Sequence, residues 1–366
     1  MGNSRKYAST DGPGGARQGR YGSIRWSRQG LTWLIALCVG LLLVGACGPR
    51  PEQSGTLVEV AVTAIPLVGP VADASAEVSG MAWYGDFLIL LPQYPGRFRG
   101  GEDGALLALL KTDILAFLDG EREAPLEPRA IPLSAPGLAE GIQDFEGYEA
   151  ITFWDDCVYL TIEASAGAGM QGYLVSGRIS PDLSSLSIDP DSRREIPLQA
   201  ALANQSDEAI LVADDGLLTF YEANGQGINA NPVAHRFGAD LVPAGTLPFV
   251  QVEYRVTDVT ALDSQDRFWA INYFFPGDTD LRPEADPLAE RYGEGASHAR
   301  YEQVERLLEF QYEPSGILLV ERPPLQIELP SDEARNWEGI VRLDGRGFLL
   351  VTDKFPGTIL AFVPGP

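Results

Sequence analysis

Five polar residues, Ser79, Glu149, Glu208, Asp258 and Glu338, stand at the same point of five related stretches of this sequence. Carboxylates brought together repel and raise one another's pKa unless a cation sits among them. An all-oxygen set without histidine or thiolate suits a hard ion, Ca2+ first and Mg2+ as the alternative. Such an ion polarises a scissile group, and a nearby carboxylate, Glu149 or Glu338 here, then activates water. Each residue taken alone has a plainer use, accepting a hydrogen bond from neighbouring backbone N–H groups or holding water.

The elements that must position them follow from the spacing. Each polar residue opens a short apolar run, then a turn, then a second apolar run. A further polar residue closes the stretch fourteen or fifteen positions on, at Gln93, Glu163, Glu222, Asn272 or Asp353. The turns, such as Tyr84-Gly85-Asp86, Asp155-Asp156 and Asp344-Gly345-Arg346, mark tight hairpins. A hairpin repeated at this length predicts an all-β fold, a single β-propeller. The opening residues then rim the central channel on one face. The closing residues stand one strand further out and orient the ring.

Outer strands are expected after each hairpin, for example Tyr173–Ile179 and Leu186–Ile196, then Arg306–Tyr312 and Gly316–Leu329. The last blade has a third strand, Thr358–Val363, and lacks a fourth. The apolar stretch Leu57–Leu67 is its donor, so both ends of the domain close a ring of five blades. A sixth blade, the alternative, would have to lie between Asn272 and Glu338. That gap also holds an insertion, residues 274–305, with helix-like composition at Pro287–Tyr292 and Tyr301–Leu308. Loops leaving the second strands open on the polar face, so the insertion is expected to cover it. Arg97, Arg99, His298, Arg300 and Lys354 are then candidates for binding an anion there. Gly167–Gly172 matches a dinucleotide-binding glycine pattern, but a strand follows it where a helix is needed.

Residues 1–30 carry six basic residues against one acidic, and an apolar run, Leu31 to Ala46, follows. The run is short for a membrane span and suits the apolar part of an export signal. It ends in Val44-Gly45-Ala46-Cys47-Gly48, which resembles the bacterial lipobox. The resemblance implies a signal peptide over 1–46, a lipid on Cys47 and a flexible tether over 47–56. The remaining domain, 57–366, would be an exported lipoprotein anchored on the extracytoplasmic side of the membrane. An uncleaved anchor would place it on the same side. The net charge of −24 excludes nucleic acid as a partner. Outside the leader, Cys157 stands alone at a strand start, so no intrachain disulfide is expected, and it reads as a small core residue. A monomer is expected.

The ring residues, with Asn336-Trp337-Glu338-Gly339-Ile340 and Phe145-Glu146-Gly147, resemble the calcium-activated nucleotidase (apyrase) propellers and the phytase-like and esterase-like bacterial propellers. The resemblance implies an axial calcium site and a hydrolase of phosphoesters or other anionic esters. In place of the apyrases' acidic, arginine-containing segment after the first hairpin, this chain has Pro92 to Arg97. The competing expectation is a non-catalytic module binding a small anionic ligand or a partner protein at the cell surface.

Overall fold

The computed structural model describes residues 57–366, apart from Ala168 and Asp215. The expected signal segment, Cys47 and the tether lie outside the described residues. Strand β1 (Thr63–Ile65) precedes the first blade, which is β2 (Val78–Tyr84), β3 (Phe87–Pro92), β4 (Ala105–Leu110) and β5 (Arg129–Ser134). The second is β6 (Phe145–Trp154), β7 (Cys157–Ala166), β8 (Gly169–Ile179) and β9 (Leu186–Glu195). The third is β10 (Asp207–Ala213), β11 (Gly216–Tyr221), β12 (Val233–Gly238) and β13 (Pro243–Pro248). The fourth is β14 (Arg255–Val259), β15 (Arg267–Phe274), β16 (Val304–Glu313) and β17 (Gly316–Leu319), with β18 (Leu325–Gln326) also paired to β16. The fifth is β19 (Trp337–Leu343), β20 (Gly347–Thr352) and β21 (Leu360–Pro364), and β1 pairs antiparallel with β21 to complete it.

The inner strands form a closed cycle: β2 neighbours β6, β6 neighbours β10, β10 neighbours β14, β14 neighbours β19, and β19 returns to β2. The fold is therefore an all-β propeller of five blades closed by an N-terminal strand. No sixth blade fits between Asn272 and Glu338, which hold the outer strands of blade four and the insertion. Each inner-hairpin turn has one residue with φ between 49° and 57°: Gly85, Asp155, Asp214, Asp266 or Asp344. Glycine and aspartate tolerate that region better than most residues, which is why they recur there.

Both faces of each inner hairpin are buried, which explains apolar runs instead of strict alternation. Leu88 and Leu90 pack towards blade five with Val341 and Leu349, while Ile89 and Leu91 pack towards blade two with Ile151 and Leu160. In blade three, Ile210 joins Tyr159 and Leu174 of blade two, and Leu211 joins Val256 and Phe268 of blade four. Blades one and two have an extra seam. Strand β5 runs parallel to β9, Leu133 opposite Leu186, and makes one eight-stranded sheet of both.

Several expectations need correction in detail. Only Thr63–Ile65 of the Leu57–Leu67 stretch pairs in blade five; its flanks pair elsewhere. Val60 N–H donates to Gln326 O at 2.8 Å in blade four, and Leu126 N–H donates to Pro66 O at 2.8 Å in blade one. The Gly316–Leu329 strand is broken by Pro323 and Pro324, which supply no N–H. Helix α1 (Lys111–Leu118) inserts between β4 and β5 without having been expected, and α2 (Pro287–Tyr292) falls where the composition pointed. Tyr301–Leu308 is not helical: from Val304 it runs along β15 as β16, because that edge supplies a full ladder from Val304 to Gln311. Cys157 opens β7 half-buried, not in the core.

Of the insertion, Phe275 to Leu281 reach the polar face, while Glu294 to His298 turn away onto the N-terminal segment. There Glu59 accepts from Ser297 N at 3.0 Å, Ser297 Oγ at 2.7 Å, His298 N at 3.0 Å and His298 Nδ1 at 2.8 Å. Gly295 is required beneath it, since a Cβ there would lie 2.2 Å from Glu59 Cγ. Burial works to raise the Glu59 pKa, but these donors lower it from 4.5 to about 2. The clamp therefore stabilises the fold fully above pH 4.5 and loses that contribution as pH falls through about 2. Glu59→Gln should cost about 2 kcal/mol in urea unfolding at pH 7. The difference from wild type should shrink steadily as the medium is acidified; a constant difference would mean the clamp is not ionic.

Candidate active site at the mouth of the channel

The central channel is lined by all five inner strands, including Met81, Ile151, Ile210, Val259 and Ile340, around a cavity of 190 Å3. Just before these residues in sequence come Ser79, Glu149, Glu208, Asp258 and Glu338. Each of the five falls where its inner hairpin slips register: between Val78 and Gly80, Tyr148 and Ile151, Asp207 and Ala209, Val256 and Val259, and Trp337 and Gly339. A bulge takes a residue out of the ladder and re-aims its side chain, so the chain repeats one device five times to build a polar ring. Glycine follows Ser79 and Glu338 because neighbouring inner strands nearly touch there. A Cβ on Gly80 would lie 2.9 Å from Glu149 O, and one on Gly339 would lie 3.1 Å from Met81 Cγ.

The ring contains a cation that sequence reasoning missed. Arg255, 7% exposed at the start of β14, donates through Nε to Glu222 Oε2. Its Nη2 reaches both oxygens of Glu208, at 3.2 and 3.3 Å, and Glu338 Oε1 at 3.3 Å, and its Nη1 reaches Asn336 Oδ1 at 3.4 Å. Burial works to lower the Arg255 pKa, but Glu222, Glu208 and Glu338 together drive it well above its ordinary value. A sequence signal existed. Arg255 sits three positions before Asp258, and a crowd of buried carboxylates demands a counter-charge from somewhere in the chain.

The remaining ring members have separate partners. Ser79 Oγ donates to Tyr148 O at 2.6 Å, and Asp258 Oδ2 accepts from Ile340 N at 2.8 Å, so both stitch neighbouring inner strands. Glu149 accepts from Gln93 Nε2 at 3.0 Å. Of the closing residues, Glu222 holds Arg255, and Asn272 Nδ2 donates to Arg255 O at 3.1 Å. Glu163 Oε1 and Asp353 Oδ1 are buried without a hydrogen-bond partner. Burial, reinforced by neighbouring carboxylates, pushes Glu149 and Glu338 well above the ordinary carboxyl range and Glu163 to about 8. Burial likewise raises Asp258.

The residues expected to bind an anion are mostly engaged elsewhere. Arg97 and Lys354 both pair with Glu77, at 2.9 and 3.2 Å. His298 is buried against Glu59, with Nδ1 at 2.8 Å and Nε2 accepting from Glu305 N at 3.3 Å, so neither ring nitrogen is available to a ligand. Arg300 lies beside it over Tyr301, and Arg99 is exposed. Above the ring, a cavity of 400 Å3 has Arg255 in its lining together with Asn204, Tyr273, Phe275, Asn336 and Phe355. Among the described residues, no three or more His, Cys, Asp or Glu side chains converge closely enough to hold a metal ion.

No protein-family model matches the sequence, and no curated protein matches it. Solved structures with a similar arrangement include a putative glycoside hydrolase from Parabacteroides distasonis, 10% identical with a TM-score of 0.42 over 87% of this chain and 95% of that one. An alpha-L-arabinanase from Cellvibrio cellulosa is 12% identical, with a TM-score of 0.43 over 79% and 90%. The catalytic domain of a Coprinopsis cinerea alpha-L-arabinofuranosidase is 9% identical, with a TM-score of 0.43 over 86% and 98%. Likeness at this distance carries no argument about chemistry.

Two outcomes follow from the charge balance. Arg255→Met strands three carboxylates and should cost about 3–5 kcal/mol at pH 8. The loss should be smaller at pH 5, where protons replace the guanidinium; an equal loss at both would mean that packing, not charge, is what Arg255 supplies. Glu163 binds its proton more tightly folded than unfolded, so its contribution is full below pH 4.5 and is lost as pH rises through about 8. Glu163→Gln should therefore flatten the fall of melting temperature across that window.

Proposed function

We propose that the polar mouth of the channel is a hydrolytic centre that works by carboxyl acid–base chemistry on a substrate without negative charge. The observation that carries this reading is the division of the ring into two kinds of carboxyl. Glu149 has no cation partner, and burial beside other carboxylates favours its proton-bearing form. Glu208 lies with both oxygens against Arg255. A carboxyl that keeps its proton beside one held against a cation can protonate a leaving group while the other stabilises developing positive charge or orients water. Glu149 is then the proton donor and Glu208 the partner held against the guanidinium, with Gln93 positioning Glu149. Glu338, pushed up despite Arg255, is a second proton-bearing carboxyl and not the base expected from its place in the ring. Glycosidic bonds are the class that such a pair cleaves without a nucleophilic serine or cysteine.

The phosphoester reading drawn from the nucleotidase resemblance is weaker here, because Asp278, Asp332 and Glu333 line the cavity above the ring. A second reading places calcium, or magnesium, at the ring, and the unpartnered oxygens of Glu163 and Asp353 favour it. Against it, Arg255 already lies among Glu208, Glu222 and Glu338, so these residues do not fit a metal cage as they stand. A membrane anchor at Cys47 remains a proposal from the sequence alone.

The test is a panel of chromogenic glycosides, carboxylic esters and phosphoesters, each with calcium and with chelator, alongside melting temperatures. Glycoside turnover indifferent to chelator, falling about 100-fold or more in Glu149→Gln, is the expected result. Calcium-dependent phosphoester turnover would replace this reading with the metal-assisted one. No turnover of any compound, with calcium raising the melting temperature, would leave a non-catalytic binding module.

A further inference from the structure

The cavity above Arg255 has a chemistry separate from the acid–base ring beneath it. Its walls include Tyr273, Phe275 and Phe355, and the last two are 48% and 62% exposed. They come from matching places, the Pro-Gly turns that follow the second inner strands of blades four and five. Two large exposed rings on one cavity are a binding feature, whereas one alone is ordinary surface. Phe275 is held in place by its own turn: a Cβ on Gly277 would lie 2.3 Å from Phe275 Cε1, so the ring lies across that glycine.

The remaining lining is acidic. Asp278, Asp332 and Glu333 contribute to it, and the amides of Asn204 and Asn336 add neutral polar groups. Arg255 is the one cation in the lining, and its charge is answered by Glu208, Glu222 and Glu338. Lys354 comes within 6.0 Å of the Phe355 ring centre, but its amine is paired with Glu77 at 3.2 Å. Asp278 is half-buried, and burial raises its pKa while Arg255 pulls it down. A positively charged guest would give it a closer partner.

We propose that this cavity binds an organic ammonium group, which makes the substrate or ligand of the site a cationic one. An ammonium carbon shell packs on the electron-rich faces of aromatic rings, and its charge is drawn to the carboxylates around them. An anion would meet those carboxylates directly, and a neutral apolar group would pack on the rings but leave the acidic rim uncompensated. A volume of 400 Å3 exceeds what an alkylammonium head needs and leaves space for the rest of a molecule beside Arg255. This inference names a substrate class for the hydrolase reading, yet it rests on the cavity lining and not on the ring, so binding tests it alone.

Calorimetric titration with choline and tetramethylammonium, against 3,3-dimethylbutan-1-ol as the neutral isostere of choline, is the direct experiment. Choline should bind about tenfold more tightly than the isostere. Phe355→Ala should weaken both, whereas the pair Asp332→Asn and Glu333→Gln should weaken choline and leave the isostere unchanged. Equal affinity for choline and isostere, or no choline binding up to about 50 mM, overturns the proposal. Ammonium binding without hydrolysis of any substrate removes the hydrolase reading and keeps this one, and hydrolysis without ammonium binding does the reverse.

Discussion

One guanidinium sets the electrostatics of this propeller's polar face. Arg255 lies among Glu208, Glu222 and Glu338, contributed by blades three and five, while it belongs to blade four. Buried carboxylates at such close quarters would otherwise have to take up protons or move apart, and moving apart would open the inner ends of three blades. One positive charge cannot balance so many acids: even beside it, Glu222 and Glu338 stay pushed well above the ordinary carboxyl range. Glu149 and Glu163 make no hydrogen bond to it, and burial among other carboxylates favours their proton-bearing forms. The asymmetry of the ring, which is what gives it usable chemistry, follows from having one cation for many acids.

Geometry makes that crowding possible. A regular inner hairpin would direct alternate residues into the seams between blades, where Leu90, Ile151 and Leu211 lie. Only an interruption of the ladder lets a polar residue turn to the axis without dragging the apolar ones out of register. The cost of each interruption is limited because the freed backbone groups find partners across the seam, as Tyr148 O does with Ser79 and Ile340 N with Asp258.

The architecture was legible because it repeats. Five hairpins with aspartate or glycine at the turn leave no other economical fold, and the closing strand was implied by a blade one strand short. The ring positions were legible for the same reason. What escaped was whatever occurs once. Arg255 has no counterpart in the other blades, and its role depends on three residues far away in sequence that only folding assembles. His298 looked like a ligand-binding group because it is rare and lies in a long loop. Its fate was decided by Glu59, a residue with no local signal. The helical reading of Tyr301–Leu308 failed because the free edge of β15 outweighed local composition.

The N-terminal segment is joined to the ring at several successive places. Reading inward, Leu57 N–H donates to Glu294 O at 3.2 Å, and the chain then meets the Glu59 clamp, the contact of Val60 with blade four, and only then the three residues of β1. Tension applied ahead of Leu57 is therefore borne by the Leu57 hydrogen bond and the clamp before it reaches β1. A strand of three residue pairs would peel readily from the edge of a sheet under load. Placed behind an ionic anchor on a different blade, it is sheltered. The propeller's closure is thereby mechanically decoupled from whatever pulls on its leading end.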